Sequence, residues 1–365
     1  MPVARRWAYF DHAAVAPLSG YANLALTRFA DDAAENGDAF YPAWTKQIED
    51  LRRRAAGMIG AEVEEIALVA NTTAGVNLVA EGFPWQPGDN VVTRADEFPA
   101  NQYPWIRLAD QGVETRRVET NGCRLDLDRL LAACDDRTRI IAISWVSYSH
   151  GFRHDLAELA EAAHRKSALL FVDAVQGLGV FPIDVKHSGI DFLSADGHKW
   201  MLSPEGAGVF YIRREHLDLL KARNVGWNSV KGAHEFNRID YDLRDTAERY
   251  EGGSLNAAGF IALGASLELL CRFPAQARAE RVLEITDLAC KRLEGLGAVI
   301  LSDRGSHEHK SGIVLFELPG RDPQAIRRAC FEKGVILSCR AGRLRVSPHV
   351  YNDLSDVDQL IEAIA

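Results

Sequence analysis

No stretch of this 365-residue sequence approaches the roughly 18 to 20 consecutive apolar residues a membrane-spanning helix needs, so no membrane partner is expected. Positive charge is also scarce. There are 42 Lys and Arg against 51 Asp and Glu, a net charge of −9, which argues against nucleic acid and anionic lipid as partners. The six cysteines (Cys123, Cys134, Cys271, Cys290, Cys330 and Cys339) contain no Cys-x-x-Cys pair, so neither a zinc knuckle nor a thioredoxin-type redox site is indicated. Thiols scattered in this way read as reduced and mostly buried. Met1-Pro2-Val3-Ala4-Arg5-Arg6-Trp7 lacks the apolar core of a secretion signal, and the cytoplasm is the expected location. Internal repeats and long linkers are missing too. What is present, 47% hydrophobic and 25% charged residues, is a globular balance that excludes disorder.

The one metal-like cluster is His307-Glu308-His309. Its i, i+2 histidines would face together only on a strand, and the neighbouring Gly, Ser and Lys read as a solvated loop, so no metal site is expected.

Short apolar runs recur through the first two thirds of the chain: 65–70, 90–93, 139–144, 169–172, 192–195 and 208–212. Helix-like stretches such as 156–166 lie between several of them. Nearly continuous apolar strands alternating with helices predict a mostly parallel sheet covered on both faces. The pattern changes near Gly252-Gly253. Long helices are predicted at 260–271 and 280–293, followed by a strand at 312–318, a helix at 323–333, a strand pair within 335–346 and a last helix from Ser355. The fold class is therefore α/β, a large domain with a mostly parallel sheet plus a smaller α+β domain. The boundaries are drawn at 15–255 for the large domain, with 1–14 and 256–365 forming the small one.

Functional residues of open α/β sheets gather at the carboxyl ends of strands. Three predicted ends carry complementary groups. After 65–70 comes Asn71-Thr72-Thr73-Ala74-Gly75 and a helical run, a helix N-terminus with hydroxyls that suits a phosphate or is a plain N-cap. After 169–172 comes Asp173, with Gln176 three residues on; a carboxylate there needs a cation or a cap. After 192–195 comes Asp196-Gly197-His198-Lys199. Burial would lower the pKa of Lys199 and make its amine a nucleophile toward carbonyls. A lysine for a Schiff base, a carboxylate for a ring nitrogen and a phosphate pocket are together what pyridoxal 5′-phosphate requires.

Asp173-Ala174-Val175-Gln176-Gly177 and Gly197-His198-Lys199-Trp200, with Pro204-Glu205-Gly206, resemble the class V aminotransferase family of pyridoxal-phosphate enzymes, which includes cysteine desulfurases, selenocysteine lyases and isopenicillin N epimerase-like proteins. The resemblance extends to Tyr9-Phe10-Asp11-His12-Ala13-Ala14, to Arg249-Tyr250-Glu251-Gly252-Gly253-Ser254, and to Leu344-Arg345-Val346-Ser347-Pro348-His349. It implies fold type I, a small-molecule amino-acid substrate and a homodimer with composite active sites. It also implies roles. Lys199 would be the catalytic residue, carrying the cofactor and shuttling the proton. Asp173 would pair with the ring nitrogen, Gln176 with the ring hydroxyl, and Phe98 would stack on the ring. Thr72 or Thr73, His198 and Ser254 would hold the phosphate, Ser254 from the other subunit. Arg345 would receive the substrate carboxylate, with Tyr148 and His12 on the substrate side.

The departures from the family pattern matter as well. Phe98 stands where desulfurases stack a histidine, and it cannot move protons. Asp196 stands where a phosphate-binding serine often lies, and its charge would repel phosphate. Cys339 lies only six positions before Arg345, which leaves no room for the mobile loop that carries a desulfurase nucleophile. The implied activity is chemistry at an α-carbanion, foremost a C–S or β-lyase of desulfurase type without a persulfide relay. Transamination, epimerisation and a catalytically silent cofactor-binding subunit stand as alternatives.

Overall fold

The computed structural model describes residues 1–120 and 122–365. Its strands are β1 (Ala8–Tyr9), β2 (Ile66–Val69), β3 (Asn90–Arg94), β4 (Glu114–Val118), β5 (Thr138–Ser144), β6 (Leu169–Asp173), β7 (Phe192–Asp196), β8 (Gly208–Ile212), β9 (Val299–Ile300), β10 (Val314–Glu317), β11 (Val335–Ile336), β12 (Ser338–Arg340) and β13 (Arg343–Val346). A seven-stranded sheet runs in the order β2-β8-β7-β6-β5-β3-β4. All its pairings are parallel except those of β8, which lies antiparallel to both β2 and β7.

The period-two alternation of strand side chains explains why these strands read as unbroken apolar runs. Leu170 and Val172 of β6, with Leu193 and Ala195 of β7, enter one core, beneath the helices Tyr41–Ile59 and Ala257–Cys271. Phe171 and Phe192 enter the other, against Val76 and Val79 of the helix Thr72–Gly82. That helix lies close on β7 at Gly75, where a Cβ would collide with the Ser194 side chain. The edge strand β4, Glu-Thr-Arg-Arg-Val, escapes the apolar pattern because its side chains are largely solvated.

The second sheet, β12-β13-β10-β9, is antiparallel and is backed by the helices Ala275–Glu294, Pro323–Glu332 and Leu354–Ile364 around Ile285, Phe316 and Leu360. The amino terminus is stitched onto this part. β1 pairs in parallel with β11, and Asp11 bridges to Ser347. No single helix is long and apolar enough to cross a membrane. His307 and Glu308 lie exposed in a turn.

Candidate active site

A cavity of about 290 Å³ opens at the carboxyl ends of β6 and β7 and collects most of the residues singled out above: Thr72, Thr73, Phe98, Tyr148, Asp173, Gln176, His198, Lys199 and Arg345 line it. Adjacent parallel strands explain the meeting of Asp173 and Lys199. Asp173 ends β6 and sits opposite Ser194 of β7, so the chain emerging from β7 passes beside it. The connection between the two strands contains only turns and no helix, unlike the strand-helix-strand crossover such spacing suggests.

Lys199 is buried, its Nζ 5.5 Å from the centroid of the Phe98 ring. Desolvation brings its pKa down to about 8; Arg345 and Arg340 push the same way, while Asp173 and Asp196 oppose. Asp173 shows the complementary distortion. Burial pushes its carboxyl up to about 7, with the buried Glu97 adding repulsion, although the Val175 amide donates to it at 3.0 Å. Glu97 is itself raised by burial and takes the Ser144 amide at 2.9 Å and the Ser144 hydroxyl. A pattern search misses Glu97 because it lies beyond β3, yet it faces the end of β5 that neighbours Asp173.

At the helix terminus, Asn71 caps by accepting from the Ala74 amide at 2.9 Å. Thr72 Oγ1 accepts the Asp196 amide at 3.0 Å, which ties the helix start to the end of β7. His198 Nδ1 lies 3.0 Å from the Asp196 carboxylate but off the hydrogen-bonding direction, so it is buried without an aligned protein partner.

Arg345 is buried and held by three groups: Nε donates to Ser338 Oγ (3.2 Å), Nη1 to the Tyr148 carbonyl (2.6 Å) and Nη2 to Asp11 Oδ1 (3.2 Å). A guanidinium carries five N–H groups, so one on each Nη still serves a ligand. Desolvation lowers its pKa to about 10. Asp11 belongs to a motif the sequence displays, but its bond to a residue 334 positions away is visible only in three dimensions.

One expectation needs correction. His12 does not face the cavity. It is fully buried, its Nδ1 bound to the Ser347 carbonyl (2.8 Å) and Nε2 to the Tyr351 hydroxyl (2.9 Å), among the rings of Tyr9, Trp200 and His349. Ser254 is exposed and lines a separate cavity with Tyr41 and Trp227, so within one chain it is not part of the site. Gln176 lines the site, but its amide already donates to the Ala13 carbonyl (3.0 Å) and accepts from Trp200 Nε1 (2.9 Å), leaving one N–H for a ligand. Cys339 points out of the site: its Sγ donates to the Pro323 carbonyl at 3.4 Å, burial raises its pKa, and it packs against the small-sheet core.

These residues fit pyridoxal 5′-phosphate. The cavity offers a buried amine that gives up its proton readily, a buried carboxyl in need of a cationic partner, and a helix terminus with hydroxyls for an anion.

The sequence matches the family model for aminotransferase class-V over residues 8–360. A probable cysteine desulfurase of Methanothermobacter thermautotrophicus is 29% identical over 386 residues, covering 100% of this chain and 95% of that protein. The apo structure of a cysteine desulfurase from Thermococcus onnurineus NA1 superposes with a TM-score of 0.90 at 26% identity, covering 100% of this chain and 95% of the other. A complex of the cystine C–S lyase C-DES with cysteine persulfide shares the fold, with a TM-score of 0.92 at 22% identity, covering 100% and 98%.

Proposed function

This chain belongs to the aminotransferase class-V family, and from that premise we propose that it is a pyridoxal-phosphate enzyme of cysteine desulfurase-like type that cleaves a bond at the β-carbon of an α-amino acid without a persulfide relay. The cofactor, when bound, supplies an electron sink for the electron pair left at the substrate α-carbon.

Lys199 holds the cofactor and, with its pKa near 8, moves a proton to and from the α-carbon close to neutral pH. Asp173 stays with the ring nitrogen and keeps it protonated. Arg345 takes the substrate carboxylate through its two remaining N–H groups, a planar fork matched to a planar anion. Phe98 and Tyr148, edge to face with centroids 5.2 Å apart, line one side of the cavity.

The desulfurase-like reading rests on the relatives described above, and the observation that supports the absence of a relay is the direction of Cys339. Among the described residues no cysteine lines the cavity, and this strand thiol faces the opposite side of its sheet. We further propose a homodimer in which Ser254 serves the partner's phosphate site; the exposed Phe236, Ile239 and Tyr241 offer apolar surface for it. The cofactor domain is taken as 15–255, with 1–14 and 256–365 as the small domain.

Incubating the protein with a panel of amino acids while following cofactor spectrum and products tests the reading. Pyruvate and ammonia with released sulfide support it, whereas alanine, whose formation leaves the sulfur two electrons more oxidised on an acceptor thiol, points to a persulfide relay instead. Stoichiometric conversion of the cofactor to its amine form points to transamination instead, and inverted substrate points to epimerisation.

A further inference from the structure

The β12–β13 hairpin reverses through Ala341 (φ 48°) and Gly342 (φ 73°), a left-handed pair that sets Ser338 opposite Arg345 and Arg340 opposite Arg343. Directly opposed residues share a face, as do residues two apart on one strand. Ser338, Arg340, Arg343 and Arg345 therefore form one polar row, while Cys339 and Leu344 turn to the apolar core behind it.

The three guanidiniums of that row differ in what neutralises them. Arg345 meets Asp11 at 3.2 Å and Arg343 meets Glu317 at 3.2 Å. Arg340 forms no ion pair among the described residues. Its Nη1 donates to the Cys339 carbonyl at 3.0 Å, and the half-buried side chain lines the active-site cavity together with Lys199 and Arg345. The carboxyls of Asp173 and Asp196 line the same cavity on the Lys199 side, yet neither pairs with Arg340, and the three like charges repel one another more strongly as water is excluded. Arg340 helps to depress the proton affinity of both Lys199 and Arg345, so its charge is felt across the site. The carboxylate of an amino acid satisfies Arg345. It leaves Arg340 unanswered.

We propose that the substrate carries a second acidic group on its side chain and that Arg340 binds it, making Arg340 a determinant of specificity. This rests on the amino-acid reading above. Arg suits the task because its fork binds a carboxylate or sulfinate through two parallel hydrogen bonds.

Calorimetric titration of the holoenzyme with unreactive acids of matched length tests it: succinate and glutarate against butyrate and pentanoate. The diacids should bind about tenfold tighter or better, as expected for a charged hydrogen-bonded pair. Arg340→Gln should bring the ratio within about threefold, while Arg340→Lys, which keeps the charge without the fork, should fall between. Equal binding of diacid and monoacid by the wild type, or a ratio unchanged in Arg340→Gln, would overturn the proposal. The visible cofactor band and turnover of any member of a panel of neutral and acidic amino acids by the wild type report separately on the functional reading. With both present and the ratio unaltered, only the role of Arg340 falls; with both absent the functional reading falls, and the binding ratio still decides on Arg340.

Discussion

Asp11 Oδ1 accepts hydrogen bonds from both Arg345 Nη2 (3.2 Å) and Ser338 Oγ (2.7 Å), so the amino-terminal segment orients the guanidinium that the carboxy-terminal hairpin supplies. The two segments reach one another through the β1–β11 pairing and the Asp11–Ser347 bridge. Arg345→Ala should raise the substrate KM roughly ten- to a hundred-fold, the equivalent of about 1.5 to 3 kcal/mol for a charged hydrogen bond, with cofactor affinity nearly unchanged. Asp11→Asn keeps the shape but loses the charge that steers Arg345, and should raise KM by roughly fivefold, about 1 kcal/mol. Steady-state kinetics with a cofactor titration check both; an unchanged KM in Arg345→Ala would move the carboxylate site elsewhere.

Asp173→Asn preserves shape and hydrogen bonding but removes the negative charge. It should still bind cofactor and lose most turnover, as a kcat measurement would show. The same variant has a signature in the cofactor-free protein. The folded pKa of Asp173, about 7, lies above its unfolded value, so the folded state holds the proton more tightly. That contribution to stability is fully present below roughly pH 4 and is lost as pH rises through about 7. Denaturant melts of Asp173→Asn should lack this part of the slope; a profile identical to wild type would show Asp173 to be an ordinary cap.

Loading of the cofactor onto Lys199 requires the neutral amine. With its pKa lowered to about 8, the loading rate of cofactor-free protein should climb as pH rises through about 8 and level off above it. An unburied lysine would still be climbing near 10. Stopped-flow absorbance between pH 6 and 10, taken as roughly bracketing the shift, separates the two.

Most of the active site was legible in the sequence because strand ends announce themselves. An apolar run ending in Asp173, and another ending in Asp196-Gly197-His198-Lys199, locate two neighbouring strand termini, and parallel pairing brings them together. The pairing of Asp11 with Arg345 was not legible, since no local pattern links residues 334 positions apart. His12 misled for a related reason: its motif neighbours Ala13 and Ala14 do line the cavity, but its own ring turns inward to Ser347 and Tyr351. The edge strand β4 went unseen because solvation lets charged residues occupy it.

Cys339→Ser should retain most turnover, because the thiol is turned toward Pro323 and burial raises its pKa, leaving little thiolate at neutral pH. Loss of activity in this variant, with a persulfide trapped on Cys339 in the wild type, would restore a relay mechanism.

The central claim is that Lys199 carries pyridoxal 5′-phosphate. The most direct test is borohydride reduction of the purified, cofactor-loaded protein followed by peptide mass analysis. The account predicts a visible absorption band that reduction abolishes, with the phosphopyridoxyl group fixed on Lys199. A protein that stays colourless after cofactor is added, or a label found on another lysine, would contradict it.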